Sequence, residues 1–274
     1  YPFGVDIIGT PDEEFGGLKA IQADKGVFDQ YDFAAMVHMG PNTSAEVSFI
    51  ALDGLGLKWH GAPAHAAAGP WEGRNALNAA RLFFDAVDMM RQHVIPEARM
   101  HGIIKDGGVA SNIVPDLTEV EFVTRAPRRT DLDEITAWVK DCARAAALAT
   151  RTEVEIFPIC PSYCDLYVSD LEKRALERCF CELNIDFVSG KSGMTGSSDI
   201  GNVDCRCPAF HPMLSIGKPY ACHTHEFAAA MLSEETHQAI AAAASLLAVL
   251  VTNLYGEPDT LEAIQADHRA YRGC

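Results

Sequence analysis

Phe33-Ala-Ala-Met-Val-His38 is an apolar run that ends on a histidine and is broken by Gly40-Pro41. A run without polar alternation is buried on both faces, as in a strand inside a parallel sheet. Upstream, Val5-Asp-Ile-Ile-Gly9 is a second apolar run, followed by Thr10-Pro-Asp-Glu-Glu14 and the Gly-rich Phe15-Gly-Gly17. Strand, tight loop, helix and strand predict an α/β domain. Such folds place ligands beyond the carboxyl ends of their strands. Glu13, Glu14 and His38 therefore fall at the edge where chemistry is expected.

Downstream the pattern changes between residues 48 and 157. Residues 49–60 read as a strand with a glycine turn, and 75–94 as a helix with Leu77, Ala80, Phe84 and Val87 on one face. Strand patterns follow at 99–104 and 117–124. Thr130 is placed to cap a second helix, with Asp131, Asp133 and Glu134 favourable in its first turn, and 152–157 closes the set as a strand. The order β-α-β-β-α-β is the ferredoxin-like split unit. After Pro158 the elements lengthen. Ser169-Asp-Leu-Glu172 is a capping box for a helix to about residue 183, residues 186–189 read as a strand, and 190–199 as a polar loop. Ser233 caps the last long helix, with Ile240, Ala243, Leu247 and Leu250 inward. The predicted architecture is an α/β domain with a mostly parallel sheet flanked by helices, made of residues 1–47 and 158–274. A ferredoxin-like α+β unit at 48–157 interrupts it.

Composition narrows the partners. The 274 residues are 48% hydrophobic and 22% charged, enough for a large core and two domains. A net charge of −16 argues against a nucleic-acid partner, which needs clustered Lys and Arg. The longest apolar run, 239–251, is shorter than a bilayer span, so no membrane partner is expected. No signal or transit peptide is legible. Nine cysteines are scattered, and Cys179-Phe-Cys181 and Cys205-Arg-Cys207 are too tightly spaced for a zinc knuckle. They read as reduced thiols of a cytoplasmic protein.

Three places carry candidate chemistry. Adjacent carboxylates in a tight loop point in different directions, so one of Glu13 and Glu14 can hold a metal while the other faces its water; the alternative is a solvated pair. His38 is either a hydrogen-bonded structural residue or a ligand. On neighbouring strand ends, Glu14 and His38 would reach one ion, and nitrogen and oxygen donors suit zinc, manganese or cobalt better than calcium. His223-Thr-His225-Glu226 supplies a further donor from a loop, through one histidine or both. A serine or cysteine hydrolase using Ser197 or Cys222 beside His223 has no nucleophile elbow to support it.

Taken in order, several segments resemble the aminoacylase–carboxypeptidase family of dinuclear zinc metallopeptidases. They are Gly9-Thr-Pro-Asp-Glu-Glu14, His38-Met-Gly-Pro41, Gly61-Ala-Pro-Ala-His65, Gly107-Gly-Val-Ala-Ser-Asn112, Gly196-Ser-Ser-Asp199 and His223-Thr. The similarity is greatest to the amidohydrolase branch, with its p-aminobenzoyl-glutamate hydrolase subunits and Xaa-Arg (β-alanyl-lysine) dipeptidases. His65-Ala-Ala-Ala-Gly-Pro-Trp-Glu-Gly-Arg-Asn-Ala-Leu and His101-Gly-Ile-Ile-Lys-Asp-Gly-Gly-Val look most like the dipeptidase group.

The resemblance implies an amidohydrolase acting on a dipeptide, an N-acyl amino acid or a p-aminobenzoyl-glutamate-like substrate. It implies Glu13 as general base and Glu14, His38 and His223 as ligands to two divalent metals, zinc or else manganese or cobalt, in the complete enzyme. His225 stands at a variable position and is not expected to ligate. Residues 48–157 become a lid and homodimerisation domain whose His65 reaches the partner subunit's active site to stabilise the oxyanion. Asn112 and Arg125 match positions that hold the substrate's carbonyl and carboxylate, with a turn residue and a surface ion pair as their structural alternatives. Gly196 brings backbone close to substrate, and Asp199 serves there or as a loop cap.

Family members also carry a His- or Cys-rich metal motif well upstream of the paired glutamates. Here twelve residues precede Glu13, none of them Cys or His. The expectation is a chain without the N-terminal metal-binding part, holding fewer than two metals. The alternative function is a catalytically incomplete member acting as a dimerising partner subunit.

Overall fold

The computed structural model of the chain describes residues 3–189 and 195–273. Two compact units emerge, one formed by residues 1–13, 18–49 and 164–274 and the other by 14–17 and 50–163.

The second unit is an antiparallel four-stranded sheet covered on one face by two helices. In chain order its elements are strand Ala51–His60, helix Ala76–Met90, strands Arg99–Asp106 and Leu117–Ala126, helix Arg129–Thr150 and strand Glu153–Pro158. The sheet runs Arg99–Asp106, Leu117–Ala126, Ala51–His60, Glu153–Pro158 from edge to edge, which is the ferredoxin-like arrangement. Strict alternation on Leu117–Ala126 sends Thr118, Val120, Phe122, Thr124 and Ala126 under the helices. Trp59, Phe83 and Phe122 form the centre of that core, with ring centroids 5.5 and 5.1 Å apart, and the Trp59 indole N–H donates to the Ala143 carbonyl. Each such side chain contributes roughly 1.5–3 kcal/mol on burial.

The expected glycine turn in residues 49–60 does not form, and Ala51–His60 is one continuous strand. Gly56 is small for a packing reason: a Cβ there would strike the Phe157 ring on the paired strand. The second helix starts at Arg129 with no side-chain cap, so Thr130 lies inside it. The unit runs on to Tyr163 rather than ending at 157, because Tyr163 exchanges hydrogen bonds with Leu52 and Ile159 donates to Gly54.

The other unit is built on parallel pairings. Ala34–Ala35 pairs with Ala209–Phe210, His38–Gly40 with Met213–Ser215, and Ser48–Phe49 with Thr195–Gly196. The bonds Met36 N–H to Phe210 and His38 N–H to Pro212 carry the pairing across the gap between the first two, so the apolar run 33–38 does lie in a parallel ladder. Helices Asp170–Glu182, Glu234–Gly256 and Pro258–Arg272 supply Leu176, Phe180, Leu246, Leu250 and Ile264 to its core. The capping box forms as read: the Ser169 hydroxyl accepts from Glu172 N–H at 3.0 Å, and the Glu172 carboxylate accepts from Ser169 N–H at 2.7 Å. The final helix, opened by Pro258 at its first turn, is not separated from its predecessor by periodicity.

Three sequence expectations fail here. Residues 5–9 form no strand, and Ile7 is 98% exposed; an extended apolar segment without a ladder partner stays coil. Residues 186–189 are also coil, with Val188 N–H donating to the Thr43 carbonyl at 3.0 Å. Helix Glu234–Gly256 is long and apolar enough to cross a membrane by length and composition, whereas the apolar run 239–251 suggested a shorter element. One row of it, Ala243, Leu246, Leu250 and Leu254, packs into the unit's core. Of the expected polar loop at 190–199, residues 190–194 lie outside the described residues. Ser198 and Asp199 are buried rather than solvated.

Candidate active site

Glu13 follows Asp12, whose backbone is left-handed at φ 61°. That turn brings Glu13 to Ser198, whose hydroxyl donates to Glu13 Oε1 at 2.7 Å. Next to it the Asp199 carboxylate accepts from Lys19 N–H at 3.0 Å and pairs with Lys19 Nζ at 2.7 Å. Both side chains are almost fully buried. Burial pushes the Asp199 carboxyl up from its usual range, and the Lys19 ammonium opposes the shift. Asp199 makes no side-chain cap to the helix it precedes, so the loop-cap reading is replaced by a buried ion pair. Together Ser198 and Asp199 tie the glutamate loop to helix Leu18–Asp24.

His38 opens the strand His38–Gly40 half-buried, and its Nδ1 lies 2.7 Å from the Met39 carbonyl. A carbonyl partner requires the proton on Nδ1, which leaves Nε2 with its lone pair, the state a metal-binding histidine needs. The same carbonyl is approached by Cys222 Sγ at 4.0 Å, so the loop carrying His223 is drawn to His38. His223 is exposed and left-handed at φ 65°, a strained conformation for a residue with a Cβ. Thr224 stabilises the loop by accepting from Phe227 N–H and donating to the Ala221 carbonyl. His225 is the first residue of helix His225–Ala230.

His211 stacks on His38 with ring centroids 5.7 Å apart and meets Phe49 edge-on at 5.1 Å. Burial, then the neighbouring His38, pushes its imidazole down to about 3, so it stays neutral. Its Nδ1 has no hydrogen-bond partner among the described residues.

Glu14 is exposed and belongs by its contacts to the second unit. Among the described residues no three His, Cys, Asp or Glu side chains draw together as a metal-holding group. The donor chemistry of His38 fits a divalent cation.

In the second unit, His65 and Asn112 are brought together by a short bridge. Ala66 N–H donates to the Asn112 carbonyl and Val114 N–H to that of Ala64, both at 2.9 Å. His65 Nδ1 accepts from Ala67 and Ala68 N–H, each at 3.2 Å. The proton must then sit on Nε2, so an exposed N–H donor is fixed by the backbone. Both residues are exposed.

Arg125 lies half-buried on the helix-free face of the sheet, where burial lowers its guanidinium from the ordinary value. It stands directly across from Arg99 on the neighbouring strand. Arg99 turns its guanidinium to the Pro96 and Ala98 carbonyls, each at 2.8 Å. Gly196 is half-buried in its short strand, with room at 3.9 Å from Phe49 for a Cβ, so packing does not demand a glycine there.

Sequence reading missed Ser198, Lys19, His211 and Arg99. Only the Gly196-Ser-Ser-Asp199 motif hinted at the first. The others show themselves through buried pairing or strand register, which a linear pattern does not carry.

Comparison with known proteins gives consistent relatives. Residues 52–151 match the peptidase dimerisation domain family. The chain is 35% identical to human Xaa-Arg dipeptidase over 98% of its own length and 62% of the relative's. It is 26% identical to one of the two p-aminobenzoyl-glutamate hydrolase subunits of Escherichia coli, over 97% of this chain and 67% of that one. The chain thus spans about three fifths of the dipeptidase's length. Its fold superimposes on the aminobenzoyl-glutamate utilization protein of Klebsiella pneumoniae with a TM-score of 0.63 at 19% identity, covering 84% of this chain and 56% of that one. Motif order, the match of residues 52–151 to the dimerisation domain and the similarity to the dipeptidase along nearly the whole chain all liken it to the aminoacylase–carboxypeptidase family, on its amidohydrolase branch.

Proposed function

We propose that the protein containing this chain is a metal-dependent amidohydrolase. Its substrate class is a dipeptide, an N-acyl amino acid or a p-aminobenzoyl-glutamate-like amide with a free carboxylate. The observation that carries the reading is the anchored Glu13: one carboxylate oxygen is fixed by Ser198 at 2.7 Å, as a base must be to meet water in one orientation.

Glu13 takes the proton from the attacking water and delivers it to the leaving amine nitrogen as the C–N bond breaks. The Nε2–H of His65, supplied by a second copy of the chain, donates to the oxyanion of the tetrahedral intermediate. Arg125 receives the substrate carboxylate in a charge-assisted bond, and Asn112 and the Gly196 backbone orient the acyl side. Glu14, His38 and His223 would hold divalent metal, whose Lewis acidity would polarise the scissile carbonyl. Homodimerisation through residues 48–157 is supported by the family match and by the outer strand Arg99–Asp106. That strand is exposed apart from Met100 and carries Ile103 and Ile104 on its surface. The eight described cysteines form no disulfide with one another, which fits a reducing, cytoplasmic setting.

A hydrolysis panel on the full-length protein tests the proposal: dipeptides ending in Lys or Arg, p-aminobenzoyl-glutamate and N-acetyl amino acids, each with zinc or manganese and with chelator. Chelator-sensitive release of a free amine is the expected result. A second reading, a dimerising partner subunit without turnover, is favoured by the absence of a convergent metal group among the described residues. Dimers inert on every substrate with both metals would select it.

A further inference from the structure

Cys164-Asp165 and Asp204-Cys205 are mirror-image dipeptides brought together by one arginine. Arg272, nearly buried in the last helix, pairs with Asp165 through Nη1 at 3.2 Å and donates from Nη2 to the Asp165 carbonyl at 2.7 Å and to Asp204. Tyr271 adds a hydroxyl bond to Asp165 at 2.9 Å, and His268 lies on Asp204. The backbone is fixed as well. Cys164 N–H donates to Asn202 Oδ1 at 3.2 Å, and Cys205 N–H donates to the Gly201 carbonyl at 3.0 Å. Gly201 lets the segments meet, since a Cβ there would strike the Cys164 carbonyl. These contacts set Cys164 and Cys205 next to one another, close enough for Cys164 to act on the Cys205 thiol. Both residues are half-buried and so within reach of small solutes.

We infer that Cys164 and Cys205 are a redox-active dithiol that closes reversibly to an intramolecular disulfide by exchange with a low-molecular-weight disulfide. In the first step Cys205 thiolate attacks one sulfur of the small disulfide, forming a mixed disulfide and releasing one small thiolate. Cys164, deprotonated, then attacks the Cys205 sulfur; the protein disulfide forms and a second small thiolate leaves. Two protein thiols are oxidised by two electrons, one small disulfide is reduced, and each departing thiolate takes up one proton.

Cys205 is the attacking partner for a physical reason. The Cys164 hydrogen bond, and after burial the Arg272 charge, hold its thiol below the ordinary value, against Asp204 and Asp165. Two residues on, burial pushes Cys207 up to about 12. The cross-link would tie Cys164 to the end of helix Ile200–Asp204. The other end of that helix follows Ser198 and Asp199, which hold Glu13 and Lys19.

The test treats full-length protein with oxidised glutathione, alkylates remaining thiols without reduction, and maps the peptides by mass. A Cys164–Cys205 cross-linked peptide, abolished by dithiothreitol, is expected, with Cys207 still alkylated. In Cys164→Ser, glutathione should accumulate on Cys205, and faster than it does on Cys164 in Cys205→Ser. Persistence of both thiols while the exposed Cys181 is glutathionylated would overturn the inference, as would a cross-link to another cysteine. Wild-type mapping alone decides should either variant misfold, and no step depends on turnover.

Discussion

The Ser198 hydroxyl donates to Glu13 Oε1 at 2.7 Å, joining residues 185 positions apart in the chain. Beside it the buried Lys19–Asp199 pair closes the same two segments at 2.7 Å. The glutamate assigned as base is therefore held by a strand-end motif far away in sequence.

Ser198→Ala should leave the fold intact and release Glu13 into several rotamers. Disorder in a base reduces the reactive fraction rather than substrate affinity, so kcat should fall about tenfold with KM within about twofold. Ser198→Thr, which keeps the hydroxyl, should recover most of the loss. Steady-state kinetics on the three proteins make the comparison, and an equal rise in KM would point to a substrate-binding role.

His65 should act across the dimer. Its Nδ1 is occupied by Ala67 and Ala68 N–H, so Nε2–H is the donor available to an oxyanion. Alone, His65→Ala should lower kcat about 10²–10³-fold, as loss of an oxyanion donor does. Mixed with an equal amount of Glu13→Gln after subunit exchange, it should recover about a quarter of wild-type activity. Half of the dimers are mixed, and one of their two sites has both groups. Inert mixtures of folded, exchanged dimers would place His65 in cis or outside the reaction.

How much of this was legible differs by element. The insert could be read because alternation on 117–126 and helical spacing on 76–90 are local signals, and each strand has its partners within the same unit. The capping box at Ser169 was legible for the same reason. Residues 5–9 were not, because an apolar run states that burial is wanted without saying whether a ladder neighbour exists. Glu13, His38 and His223 were singled out through motif order, whereas Ser198 and Lys19 gain meaning only once the chain has folded them onto Glu13 and Asp199. The glycine turn at 54–56 failed because Gly56 answers to the Phe157 ring, a contact a hundred residues away.

Arg125→Ala should raise KM for substrates with a free carboxylate by about 10–100-fold, the range of a charge-assisted bond of roughly 1.5–3 kcal/mol. It should have little effect on the same amides with the carboxylate capped as a primary amide. Equal loss on both series would show that Arg125 supports the sheet rather than the substrate.

Glu172 gives a stability signature in pH. Burial, and after the Ser169 bonds the Asp204 charge, raise its carboxyl to about 7, although Ser169 N–H favours ionisation. A carboxyl raised in the folded state stabilises below its unfolded value near 4.5, and that stability is lost as pH rises to about 7. Thermal unfolding should show the loss, roughly 3 kcal/mol from this group. Glu172→Gln, which keeps an acceptor for Ser169, should flatten the curve over that window. An unchanged slope would mean that Glu172 ionises normally in the fold.

The most direct test of the central claim is amide hydrolysis by full-length wild type and Glu13→Gln, with metal content measured on the same samples. Hydrolysis by the wild type, abolished by chelator and restored by zinc or manganese, is the predicted baseline. The variant should bind the same metal and turn over about 10²–10⁴-fold more slowly, the usual cost of losing a general base. Near-wild-type kcat in Glu13→Gln, or wild-type turnover indifferent to chelator, would contradict it.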